Sequence, residues 1–261
     1  MDELIKGGNS RYEEYEELLL LRDQYQREAC SIETSYVKEF GDLLLKDFEL
    51  KVECIKKKKM IAFCQAAVNH GDAIDVAAMN EKIARDMAVY NAQLQNMLNS
   101  KEAVDKSEVV PAYKVERAKR IYHRIAKLIH PDINPEAASD GRIRELWNRV
   151  VIAYHMNNDE ELDNLEVLVR KVLKDKGTDG GEVVIDDIDE RIGKLEVEIK
   201  DITTTEPYVY INLLADPGAV KRKKDELNKS IEKYTEYSKQ LSGMLRELLS
   251  EGGATLTWVE I

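Results

Sequence analysis

His130 and Asp132 flank Pro131, which sets an imidazole and a carboxylate two residues apart on a turn stiffened by proline. Beside a further acid or nucleophile such a pair could move protons. Asp132 is the sole local candidate, and the other histidines, His70, His123 and His155, are dispersed along the chain. No Ser/His/Asp or Cys/His grouping and no glycine-rich phosphate loop accompanies them. The chemistry left is recognition, with a rigid polar loop presenting His130 and Asp132 outward. An exposed His130 would contribute little to the core, so His130→Gln is expected to leave the melting temperature almost unchanged.

Two amphipathic patterns must hold that loop. On a helix over Lys114 to Ile129, Ala118, Ile121, Tyr122, Ile125, Leu128 and Ile129 share one side, and Arg117, Lys119, Arg120, His123, Arg124 and Lys127 share the other. Six cations against Glu116 alone make it a basic rod in a chain of net charge -11. Pro131 ends the helix and Pro135 keeps the next residues extended. Ser139 or Asp140 can cap a second helix, in which Ile143, Leu146, Trp147, Val150, Val151 and Tyr154 recur at spacings of three and four.

Tyr122-His123-Arg124-Ile125-Ala126, His130-Pro131-Asp132 with Asn134, and Trp147, Val150, Ala153-Tyr154 and Asp159 together resemble the J domain of DnaJ-like co-chaperones over residues 112–160. The resemblance implies a helix-loop-helix that binds and stimulates a seventy-kilodalton heat-shock ATPase. The partner-binding residues it implies are His130, Pro131, Asp132, Arg117, Arg120, Tyr122, Arg124, Lys127 and Asn134. Two features depart from the family. Its usual first helix has no counterpart near Val104-Asp105, so the helix preceding the linker is a candidate substitute. Its Lys-Arg-rich last helix is replaced by the acidic run Glu160-Glu161-Leu162-Asp163.

Composition sets the frame. With 43% hydrophobic and 34% charged residues, five prolines and thirteen glycines, the chain suits long helices, and the fold class expected is all-α. Cys30, Cys54 and Cys64 are odd in number and widely spaced, which indicates neither a disulfide framework nor a zinc site; they read as reduced thiols, with no cofactor. The longest apolar stretch, Ile61 to Val68, is far short of a membrane span, and no export signal is read. A cytoplasmic protein without membrane or nucleic-acid partners is expected.

Coiled-coil-like helical hairpins are expected on both sides of the J-like part. Residues 10–100 form the first region, with a seam through Tyr12, Tyr15, Leu18, Arg22, Tyr25, Ala29, Ile32 and Tyr36 that slips near Gly41, a natural bend. Lys56 to Lys59 reads as a solvated helical turn. Asn69-His70-Gly71 ends the pattern, and Asp75 caps a helix burying Met79, Ile83, Met87, Tyr90 and Leu94. Asn99 to Ala112 reads as a linker into residues 111–176, the J-like domain. Ile185, Ile188, Ile192, Leu195, Ile199 and Ile202 then pair with Val220, Leu227, Ile231, Tyr234, Leu241, Leu245 and Leu248 in an antiparallel hairpin over residues 183–251, and residues 254–261 alternate as a strand-like tail.

Two function classes follow. One is a co-chaperone whose J-like segment recruits the heat-shock ATPase while the helical arms select a client protein or self-associate as a homodimer. The other is a structural coiled-coil adaptor in which the J-like hairpin is only a fold element.

Overall fold

The computed structural model describes residues 2–106, 110–135, 139–176 and 187–251. Helices account for nearly all of them, and no strand occurs among the described residues. Along the chain these are α1 (Asp2–His70), α2 (Val76–Lys106), α3 (Ala112–Ile129), α4 (Gly141–His155), α5 (Asp159–Lys176), α6 (Ile188–Thr204), α7 (Tyr210–Ala215) and α8 (Pro217–Glu251). None is long and apolar enough to cross a membrane, among the described residues. The strand-like tail, Ile185 and the start of the residue 183–251 region lie outside them.

Two compact units divide the chain, one within Met1–Glu33 and Glu108–Ile211, the other within Thr34–Ser107 and Asn212–Ile261. The long α1 contributes to both. Both units are therefore discontinuous in sequence, whereas the sequence pattern is read as consecutive spans over residues 10–100, 111–176, 183–251 and 254–261.

In the second unit, α1 runs unbroken through Gly41. Glycine there serves close packing: a Cβ would sit 2.7 Å from Cδ of Lys101 on α2. Lys101 in turn pairs with Asp42 at 2.9 Å and with Asp105 at 2.7 Å. The i,i+4 pairs Lys101–Asp105 and Lys106–Glu102 carry α2 to Lys106, through most of the stretch expected to be a linker. The punctuation at its start is as expected, with Gly71 at φ 74° after α1 and the Asp75 carboxylate accepting the Ala78 N–H at 2.9 Å. Met79, Ile83 and Met87 are buried against Val52, Met60, Ile61, Leu241, Leu245 and Leu249. Lys57 departs from the solvated turn expected for it, because its buried ammonium meets Glu53 at 2.5 Å and the Ser238 hydroxyl at 2.8 Å.

The first unit is built on α3, α4 and α5. Ala118, Ile121, Tyr122, Ile125, Ala126 and Ile129 of α3 face Ile143, Leu146, Trp147, Val150, Ala153 and Tyr154 of α4, and Leu162, Leu165 and Val169 of α5 close the core. Leu20 of α1 enters the same core. A smaller cluster joins Tyr15 and Leu19 of α1, Ile133 of the loop, and Ile192 and Leu195 of α6. The apolar stripes of α6 and α8 thus fall into different cores, where the sequence pattern pairs them as one hairpin: Leu241, Leu245 and Leu249 of α8 bury against α1 and α2 instead. Periodicity reports that a face is buried and not which partner buries it.

Candidate functional site: the His-Pro-Asp loop

Proline forces the turn as expected. His130 caps α3 at φ -58°, ψ 130°, and its N–H still donates to the Ala126 carbonyl at 2.8 Å. The chain then folds back on the His130 carbonyl, which accepts the N–H of Ile133 at 3.0 Å and of Asn134 at 2.7 Å. The Asn134 side-chain amide donates to the Leu128 carbonyl at 3.2 Å, pinning the loop to the last turn of α3. Asp140 starts α4 by accepting the Arg142 N–H at 2.7 Å.

His130 is not presented outward. It is 4% exposed, with its ring edge-on to Trp147 at 4.8 Å between centroids. Its Nδ1 accepts the Asp132 N–H at 3.1 Å, which assigns the ring proton to Nε2, and Nε2 lies 3.6 Å from Oδ2 of Asp23 on α1. The expectation of an exposed imidazole fails because the short loop tucks the ring beneath α1. Tyr122 is likewise buried, at 2% exposure, where a partner-binding role is expected; its hydroxyl donates to Oδ2 of Asp23 at 2.6 Å and its ring stacks on Tyr154 at 3.9 Å. Of the tripeptide, Pro131 and Asp132 remain partly exposed, the Asp132 side chain at 46%.

Asp23 organises this interior. Burial alone would raise its pKa, but the facing His130 imidazole, the hydrogen bond from Tyr122 and the neighbouring Arg22 guanidinium, 2.8 Å away, hold it below the ordinary carboxylate value. Burial and the nearby Asp23 charge push the Tyr122 phenol up, and burial pushes Tyr154 up to about 12. Arg27, also buried, stacks over the Tyr154 ring at 5.0 Å and donates to the Asn157 side chain at 2.7 Å. Asn157 turns the chain between α4 and α5 in the left-handed region, φ 51°. A cavity of about 260 Å³ lies among Arg22, Asp23, His130, Asp132, Trp147 and His155. No group of three His, Cys, Asp or Glu side chains is placed to hold a metal, among the described residues.

The basic face of α3 is also more engaged than expected. Arg117 reaches Asp159 at 2.9 Å and Asp163 at 2.6 Å, Arg124 reaches Glu166 at 2.6 Å, and Lys127 reaches Glu16 of α1 at 2.5 Å. The acidic run that departs from the J pattern therefore begins the helix that matches this face. Hydrogen bonding from Arg124, opposed by burial and reinforced by Arg170, holds the Glu166 carboxyl below its usual range. Even so Arg120, Arg124 and Lys127 are exposed, at spacings of four and three along α3 toward the loop. Arg120 makes no ion pair with the described residues. His123, on the same helix, is half-buried with Nε2 unpartnered; burial, with Lys119 and Lys127 nearby, lowers its pKa.

No family model, curated protein or solved structure matches the chain. Asp23 and Arg27 were missed in the sequence: a buried acid and base in a highly charged helix carry no local signal, and Asp23 stands far from Tyr122 in the chain.

Proposed function

We propose that the chain is a J-like co-chaperone that docks on a seventy-kilodalton heat-shock ATPase and stimulates it, with no catalytic activity of its own. One observation carries this reading: Arg120, Arg124 and Lys127 form an exposed cationic row along α3 that ends at a loop where Asp132, rather than His130, is the open side chain. Such a row suits an acidic partner surface, giving orientation and association rate. Arg124 and Lys127 keep about half of their side chains exposed while paired with the shielded Glu166 and Glu16, so an acidic partner group can still reach them. Pro131 and Asn134 hold Asp132 in place, while Asp23 of α1 fixes His130 and Tyr122 on the buried side of the loop. The long helices α1, α2 and α8 serve as arms for a client protein.

A second reading has its own support. The burial of His130 and Tyr122 favours a structural adaptor in which the hairpin is a packing unit only. Binding of the intact chain to the ATP-loaded heat-shock ATPase of its own cell separates the two. The co-chaperone reading expects binding that weakens with salt, and a slower association rate for Arg120→Glu. No binding at low salt, either by the intact chain or by one whose α1 contacts to the loop are weakened, leaves the adaptor reading.

A further inference from the structure

Asp132 is open, but the rest of the loop is covered, and the cover comes from helices outside the hairpin. Ile133 is 1% exposed, enclosed by Tyr15 and Leu19 of α1 and by Ile192 and Leu195 of α6. The Tyr12 hydroxyl donates to the Ile133 carbonyl at 3.3 Å. Glu16 holds Lys127, the last cation of the basic row, at 2.5 Å, with its own carboxylate largely shielded. Arg22 links α1 to Glu198 of α6 at 3.6 Å, and Arg11 pairs with Asp189 at the start of α6. The two helices thus form a strap over the loop. Glu16 occupies the position that an acidic partner group would take on Lys127.

We propose that this strap, α1 over Tyr12 to Leu19 together with α6 over Asp189 to Glu198, is an autoinhibitory contact that must lift before the loop and Lys127 can engage the heat-shock ATPase, while Leu20 and Asp23 of α1 stay seated on the hairpin core. The inference rests on the co-chaperone reading. Its physical basis is a difference in scale between two cores. The strap cluster has five buried residues and the hairpin core has sixteen, so releasing the strap exposes much less apolar surface than unfolding the hairpin it covers. Its polar contacts, Tyr12 to Ile133, Glu16 to Lys127 and Arg22 to Glu198, are each replaceable by water or by a partner. A partner that binds only the open state is weakened by the fraction of chain that is closed, so loosening the strap raises apparent affinity without adding a contact.

The test uses the full chain with Tyr12→Phe and Glu16→Lys on α1, and separately with Leu195→Ala on α6. Two quantities are read: hydrogen exchange at the amides of Ile133 and Asn134, and stimulation of ATP hydrolysis by the purified heat-shock ATPase of the same cell. Both variants are expected to speed exchange and to raise stimulation at sub-saturating concentration about threefold or more, through the larger open fraction. If exchange quickens while stimulation stays equal to that of the intact chain, the strap does not gate docking; the inference falls and the co-chaperone reading stands. If neither intact nor loosened chain stimulates, both fall. Should either variant lose helicity, Glu16→Gln, which removes only the ion pair, replaces it, and equal stimulation by that variant and the parent overturns the proposal.

Discussion

The Tyr122 hydroxyl donates to Oδ2 of Asp23 at 2.6 Å, across ninety-nine positions of sequence, and the same oxygen faces Nε2 of His130. One buried carboxylate therefore joins the long N-terminal helix both to the middle of α3 and to the start of the His-Pro-Asp loop. Tyr122→Phe removes a charge-assisted donor and leaves Asp23 under-satisfied, at an expected cost of about 1–3 kcal/mol. Urea denaturation measures it. In a double-mutant cycle with Asp23→Asn the two losses should fall well short of adding; full additivity would mean that the bond contributes nothing.

The buried imidazole changes what His130→Gln reports. An exposed His130 predicts an unchanged melting temperature, whereas a ring packed on Trp147 beneath α1 predicts a loss of about 1–3 kcal/mol in stability. Thermal and urea melts of this one variant decide. A parent-like melt would place the ring outside the core.

Stability should fall in two steps on acidification. His123 has a lowered folded pKa, so between that value and its ordinary 6.5 the unfolded chain binds more protons and stability declines as pH falls. Asp23 is also depressed, so its contribution is intact above its ordinary 3.8 and is lost as pH falls through the folded value. His123→Gln should flatten the first step and leave the second. Urea midpoints across pH 3 to 8 check both, and an unchanged slope near pH 6 in that variant would remove His123 as the cause.

Charge reversal on α3 should separate two residues that look alike in sequence. Arg124→Glu opposes Glu166, whose side chain is only 10% exposed, and should cost about 1 kcal/mol or more; Arg120→Glu should cost under about 0.5 kcal/mol. Equal losses would mean that the pairing to α5 is not formed in solution.

Much of the local structure was legible because its causes are local. The α3 and α4 stripes, the turn at Pro131, the caps at Asp75 and Asp140 and the left-handed Gly71 all follow from residues a few positions apart. Partner choice did not follow. Ile192 and Leu195 read as half of a hairpin because spacing shows that a face is apolar, not what it meets. Gly41 read as a bend, since nothing nearby in sequence announces Lys101 against it. The site divided the same way: the motif was visible and Tyr122 fell on the apolar side as its spacing indicates, but the burial of the loop depends on Asp23, Tyr15 and Leu19, more than a hundred residues away, and the exposure assigned to His130 was reversed.

The most direct test of the central claim is the effect of the chain on steady-state ATP hydrolysis by the heat-shock ATPase of the same cell, with Asp132→Asn as the control. That carboxylate is half-exposed, 3.9 Å from Nδ1 of His130, and the loop's hydrogen bond is made by its backbone N–H, so the substitution should leave the urea midpoint within about 0.5 kcal/mol of the parent. The account predicts that the parent raises hydrolysis and that folded Asp132→Asn does not. Equal rates with parent, variant and no added chain, measured also with the strap loosened, would contradict it.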